Sequence, residues 1–357
     1  MKKRELLHKF REFLLSAGKT ERIAIVHHRD TDGLCAGIVF SKALEKLRGR
    51  GTDFVLSTEY FEFGEVLAGL KSIKPDKIVC LDLSIDQRPK EVKALEKIAP
   101  LLIIDHHKQY RDCNSKRTLF IKAEMVKRID GSKYPASKLA FDLCSTLVGL
   151  KEEQWIACIG ILGDMGYKNW KGFFKKAIRE NRVSLKQLVS LEELVSSVET
   201  IDSRKFSELF WEFHSKKPRE LLKSPFNKYK KLLKKELAKW QKDFKKNAEF
   251  YEKEQLIFYF FKPEIEIKSA LIDSLTLKYP DKTLIVVQDS GENNLRFSAR
   301  RQDFKEKMNA LLEKATKGIP GASGGGHVPA AAGSVPREKL QVFKENVLKI
   351  LRAKQKK

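Results

Sequence analysis

The chain has 357 residues, 42% of them hydrophobic, enough for two ordinary domains with real cores. Lys+Arg 71 against Asp+Glu 47 leaves a net charge of +24, which points to a polyanionic partner, most simply nucleic acid. The five cysteines form no CxxC pair and no apolar run approaches membrane-spanning length, so the expectation is a soluble, cytoplasmic protein with reduced thiols, no thiolate metal site and no membrane partner.

In chain order, Arg22–His27 (RIAIVH) reads as a buried strand and Leu34–Leu47 as a helix with an apolar stripe. Asp53–Ser57 and Lys77–Leu83 (KIVCLDL) are further strands, Gln87–Ile98 a helix, and Leu101–Ile104 a fourth strand. Continuous apolar strands alternating with helices predict an α/β fold whose parallel sheet is covered on both faces. Leu119–Lys122 adds an edge strand, and Pro135–Leu147 and Glu152–Leu162 read as helices. From Lys168 to Glu254 strands disappear. Leu233, Leu237, Trp240 and Phe244 share one helical face there and lysines fill the other, which suggests a basic helical bridge. Strands return at Leu256–Phe261, Thr283–Gln288 and Leu295–Ala299, with helices at Ile265–Lys278, Asp303–Glu313 and Arg337–Leu351. The expected plan is therefore a parallel-sheet domain over 1–167, a helical connector over 168–254 and a smaller α/β domain over 255–357.

Four short polar motifs interrupt the first domain's apolar runs: His28-Arg29-Asp30-Thr31-Asp32-Gly33, Asp82, Asp105-His106-His107 and Gly163-Asp164-Met165-Gly166. Carboxylates gathered at the ends of strands repel one another unless a cation lies between them, and this many oxygen and imidazole donors suits two divalent ions better than one. His28, Asp30 and Asp32 alternate, so in extended chain all three reach one side. Asp82 alone reads equally as a cap. Of the two adjacent imidazoles, one can bind metal and the other can face a substrate phosphate, with Asp105 orienting a histidine. Farther on, Gly324-Gly325-Gly326-His327 has the makings of a phosphate-binding nest, and Arg300 or Arg301 that of a phosphate clamp.

Together these motifs resemble the DHH phosphoesterase family, most closely its RecJ-type branch with the compact archaeal single-strand nucleases. GGGHVPAAAG at Gly324–Gly333 is similar to the signature of the DHH-associated C-terminal domain. The resemblance implies two manganese ions, with magnesium as the alternative, held by His28, Asp30, Asp32, Asp82, His106 and Asp164. Asp82 would bridge, Asp105 would support His106, His107 would act on the scissile phosphate, and Gly324, Gly325, Gly326, His327 and Arg300 or Arg301 would hold the substrate. The implied function is a single-strand-specific exonuclease on DNA or RNA, with a helicase or replication factor as a further partner. The alternatives are a small-substrate phosphoesterase, acting on short oligoribonucleotides, cyclic dinucleotides or 3′-phosphoadenosine 5′-phosphate, and a replisome scaffold.

Overall fold

The computed structural model describes residues 3–59, 63–326 and 328–355, and the chain divides into two compact units, 1–230 and 231–357. The first is built on a five-stranded parallel sheet: β1 Ile23–His28, β2 Phe54–Thr58, β3 Lys77–Leu81, β4 Leu101–Asp105 and β5 Thr118–Lys122, in the order β2-β1-β3-β4-β5. Side chains alternate across a strand, so each strand feeds two cores. Ile25, Val79, Leu81, Leu102, Ile104 and Ile121 pack on one face with the helices Lys3–Leu15, Thr31–Arg48, Ala136–Cys144 and Gln154–Gly163. Val26, Ile78, Cys80, Ile103 and Phe120 pack on the other with Phe63–Ile73 and Pro89–Ile98. This double burial is why the strands read as unbroken apolar runs.

Strand order reverses between β1 and β3. Open α/β sheets form their crevice at such a switch point, beyond the carboxyl ends of the strands. The register aligns those ends: His27 pairs with Leu81, Leu81 with Ile104, and Asp105 with Lys122. His28, Asp82, Asp105 and Lys122 are thereby delivered side by side.

The expected helical connector is not a separate body. Phe174, Leu188, Leu191, Val195, Phe210, Phe213 and Leu221 all lie in the first unit's core. The unit boundary falls inside the helix Asn227–Asn247, not at 167/168 and 254/255. The apolar periodicity of 168–230 needed a partner surface, and the helices over β1 supply it.

The second unit is a six-stranded mixed sheet, β10-β11-β9-β8-β7-β6, comprising β6 Glu249–Tyr251, β7 Leu256–Phe261, β8 Thr283–Gln288, β9 Asn294–Arg300, β10 Ser323–Gly326 and β11 Ala330–Pro336. Only β7 and β8 run parallel. The helix expected from Asp303 starts at Met308, because Asp303 is held in a turn by Arg301 and by the Lys305 N–H. The glycine-rich stretch is an edge hairpin: Gly324 opposes Gly333 and Gly326 opposes Ala331. A Cβ on Gly333 would run into the Ser323 carbonyl and sit 2.6 Å from the Phe297 ring, so only glycine lets these strands pair over that ring.

Candidate metal centre

His28 ends β1. Its Nδ1 donates to Asp30 Oδ2 at 2.7 Å, and its Nε2 lies 3.4 Å from Glu59. Asp30 caps the following helix, its other oxygen accepting the Gly33 N–H at 2.8 Å. Asp32, in the first turn of that helix, is buried and accepts the backbone N–H groups of Ala136 (2.5 Å) and Ser137 (3.1 Å), at the start of another helix. Helix N-terminal donors of this kind hold a carboxylate in place without neutralising it.

Asp82 follows β3 in a left-handed backbone position (φ 60°) and is 1% exposed. Its Oδ1 has no hydrogen-bond donor among the described residues. His106 Nε2 approaches it to 3.2 Å, outside hydrogen-bond alignment, and lies 3.4 Å from Asp164 Oδ2. The other ring nitrogen of His106 donates to the Gly131 carbonyl at 3.1 Å, which leaves the Nε2 lone pair of the neutral ring facing the carboxylates. His107 Nδ1 donates to Asp105 Oδ1 at 2.8 Å. Asp105 thus orients His107, whereas the Gly131 carbonyl fixes the ring of His106.

Three ligand triads result: His28–Asp30–Asp82, Asp82–His106–His107 and Asp32–His106–Asp164, each with its donor atoms within 4.8 Å of one another. Asp82 and His106 each belong to two triads. All six expected ligands are therefore gathered from four separate motifs.

The protonation balance records the crowding. Burial, then the charges of Asp30 and Asp32, pushes Asp82 well above the carboxylate range. Burial also raises Asp32, and takes Asp164 to about 7. Burial opposes the charge on His106, but Asp164 and Asp82 outweigh it and raise that imidazole; Asp30 and Glu59 do the same for His28. Asp30 and Asp105 move the other way: burial is outweighed by His28 for one, and by His107 and Lys122 for the other. A divalent cation held among these groups would replace the protons that such crowding favours.

Several supporting residues escaped the sequence reading. Lys122, 1% exposed at the end of β5, pairs with Asp105 and lies 3.2 Å from Asp86 Oδ1. Asp86 Oδ2 accepts the Tyr110 N–H at 2.6 Å, tying the loop after Asp105-His106-His107 to the loop after Asp82. The signal was present: β5, like β3 and β4, ends an apolar run on a charge. His27, fully buried over Phe210, is kept neutral by burial, its pKa lowered to about 4. Beside Arg29 a cavity of about 620 Å³ is lined by Ser57, Ser203, Arg204 and Ser207.

The substrate-binding candidates lie in the second unit. Arg300 pairs with Asp273 at 2.9 Å. Arg301 is buried, its guanidinium engaged by Asp303, Thr283 and Gln255, so it serves the fold of its own domain. Gly324, Gly325 and Gly326 form an edge strand rather than a loop nest, and His327 lies outside the described residues.

Among known families, the DHH family N-terminal domain matches residues 22–162 and the DHHA1 domain residues 256–353. No curated protein matches the chain in sequence. Several solved structures share the fold, three of which serve as examples. A DHH domain described as a member of a family of ribosomal proteins superposes with TM-score 0.74 at 16% identity, covering 97% of this chain and 89% of that one. Exonuclease RecJ bound to manganese gives 0.68 at 16%, covering 99% and 94%. RecJ from Thermus thermophilus in complex with Mn2+ gives 0.71 at 15%, covering 98% of this chain and 55% of that one.

Proposed function

The chain belongs to the DHH phosphoesterase family, with RecJ-like architecture, and from that premise we propose that it is a metal-dependent exonuclease on single-stranded nucleic acid. The observation that carries the reading is Asp82 Oδ1, a buried carboxylate oxygen with no donor, at the meeting of two ligand triads. A buried polar atom left so costs about 1–3 kcal/mol or more, which a protein keeps for a ligand. Oxygen and imidazole donors without a thiolate fit manganese or magnesium.

His28, Asp30, Asp32, Asp82, His106 and Asp164 would hold a pair of such ions, with Asp82 shared between them. Bound there, the ions would supply Lewis acidity toward a phosphodiester and acidify the attacking water. Everything else is done by the chain. Asp105 accepts a hydrogen bond from the Nδ1–H of His107 and so sets which nitrogen that ring turns to the substrate. His107, partly exposed where its neighbours are buried, is the group placed to donate from Nε2, when the ring carries both protons, to a phosphate oxygen or the leaving oxygen. In the second unit, Arg300 and the outer edge of β10 are left to hold the strand.

Charge favours the strand over a small substrate: a mononucleotide or dinucleotide needs no +24 chain. The intact ligand set disfavours a purely structural role. The test is digestion of end-labelled single-stranded DNA and RNA with manganese, beside dinucleotides and 3′-phosphoadenosine 5′-phosphate. Stepwise shortening of the long strands is expected, and it should vanish in Asp82→Ala and His106→Ala while both variants remain folded. Activity retained in both would refute the site; hydrolysis confined to the small substrates would refute the strand.

A further inference from the structure

The helix Asn227–Asn247 carries nine lysines against two carboxylates. Its apolar side is covered: Tyr229 belongs to the first unit's core, and farther along the side chains pack within the second unit. Leu233 and Phe244 are buried, Trp240 stacks edge-on against Phe261 at 5.2 Å, and Phe244 against Tyr259 at 5.2 Å. The opposite side presents Lys231, Lys234 and Lys235, then Lys242, Lys245 and Lys246, all exposed. The second triplet repeats the first after eleven residues. That is about three helical turns, so the six fall within roughly 120° of arc, with about 16 Å between triplets. Ala238 lies between them on the same face.

None of these six makes an ion pair among the described residues. On this helix the pairs that do form are Lys230 with Glu193 (3.0 Å) and Lys239 with Glu236 (4.0 Å). Asp243 is already engaged by Tyr259 and Asn247. A helix built only for solubility interleaves Glu and Lys at i,i+4, where each pair adds about 0.2–0.5 kcal/mol; like charges at that spacing subtract as much. Here Lys231/Lys235 and Lys242/Lys246 both stand at i,i+4, and Lys231/Lys234 and Lys242/Lys245 at i,i+3. The helix sustains repulsion along one face, and a polyanion laid along it would relieve that repulsion.

We propose that this lysine face is a binding surface for the sugar-phosphate backbone of a nucleic-acid strand, distinct from the metal centre and indifferent to base sequence. Its partner class rests on the strand-degrading reading; its physics does not. Lysine ammonium groups on flexible stems act as point charges and neutralise phosphates without fixing register. Each phosphate neutralised on a single strand releases counterions and contributes about −0.7 to the slope of log K against log salt.

Two triple variants test it in the full chain: Lys231→Gln with Lys234→Gln and Lys235→Gln, and Lys242→Gln with Lys245→Gln and Lys246→Gln. Glutamine matches lysine in helix propensity, so circular dichroism should be unchanged. Binding of a fluorescein-labelled 20-nucleotide single strand is measured in EDTA across a potassium chloride series. Each triple variant should lower the magnitude of the salt slope by about 2 and weaken binding at least tenfold at low salt. Slopes equal to wild type in both variants would overturn the proposal. So would a loss of binding to phosphatidylserine vesicles with strand binding intact, which would assign the face to a membrane surface. The binding assay is read without metal, so it stands or falls apart from the nuclease reading. Should wild type hydrolyse no phosphodiester, that reading fails, while the salt slope still decides the helix.

Discussion

Lys122 is an ammonium buried in the first unit, and two carboxylates depend on it. It touches Asp105 and Asp86, both fully buried, and Asp86 in turn anchors the loop after His107 through the Tyr110 N–H. Removing one partner of such a network leaves charge buried and uncompensated, at about 3–5 kcal/mol. Lys122→Met should therefore lose about that much stability in urea unfolding, whereas Lys138→Met, whose partner Asp142 is partly exposed, should lose much less. Equal losses would show that Asp105 and Asp86 do not need the charge. The metal cluster gives a second expectation, in pH. Asp164 has its folded pKa raised to about 7, so the native state holds a proton that the unfolded chain has lost; this group's contribution falls as pH rises toward and through 7. His28 and His106 are raised above 6.5, and their contribution also disappears as pH rises through their folded values. His27, lowered to about 4, works oppositely, but only between 4 and 6.5. From pH 6.5 to 8 the signs agree, and the metal-free protein should melt at progressively lower temperature. Manganese displaces those protons, so at a fixed metal concentration the rise in melting temperature that it gives should grow over the same interval; where the metal stands at one hundred times its Kd the added stability is about 2.7 kcal/mol. A metal-induced shift that shrinks with pH would sink the assignment. The candidate ligands stood out in the sequence because their motifs are polar breaks at the ends of apolar runs, and the family resemblance named the set. Lys122 ends the run of β5 in the same way, but its partners, Asp105 on β4 and Asp86 in the turn after β3, are distant in sequence, so its role was not legible.

At the level of elements, the centre depends on how closely helices approach. Gly160, in the helix Gln154–Gly163, is where that helix meets Asp32: an added Cβ would stand 2.7 Å from Asp32 Oδ1 and collide with the Ser137 hydroxyl. Gly160→Ala should cost about 1–3 kcal/mol by overpacking and weaken manganese binding as Asp32 is displaced. Gly172→Ala, in the neighbouring helix Lys171–Asn181 with nothing within 4 Å of its Cβ, is the control, and should gain up to about 1 kcal/mol from helix propensity. Differential scanning fluorimetry with and without manganese separates the two; loss of stability in both would mean that helix geometry, not contact with Asp32, is at stake. The contrast also explains what was legible. Strands β1, β3, β4 and β8 carry continuous β-branched or leucine-rich runs and were read to within two residues. The hairpin β10–β11 was not, because Ser323-Gly324-Gly325-Gly326 has no apolar alternation to announce a strand. Its glycines answer to a neighbour across the sheet, a constraint that only the fold supplies.

The chain forms two units with separate cores, and the candidate metal ligands all lie in the first. The second core, around Phe297, Phe343, Leu312 and Val347, contains none of them. Ligand binding stabilises the structure that holds the ligand, by an amount set by concentration over Kd, and leaves an independently folding unit where it was. Two-state behaviour is not expected of such a chain. Calorimetry should resolve two transitions, of which manganese moves one upward, and Asp82→Ala should abolish that movement without disturbing the other. High salt should act on the two differently as well, since screening relieves the like-charged lysines of the Asn227–Asn247 helix but barely touches the buried pairs around Lys122. The metal-insensitive transition should therefore rise with potassium chloride. A single transition that shifts as one with manganese would mean that the two cores melt together, and that the division at 230/231 is one of contacts and not of stability.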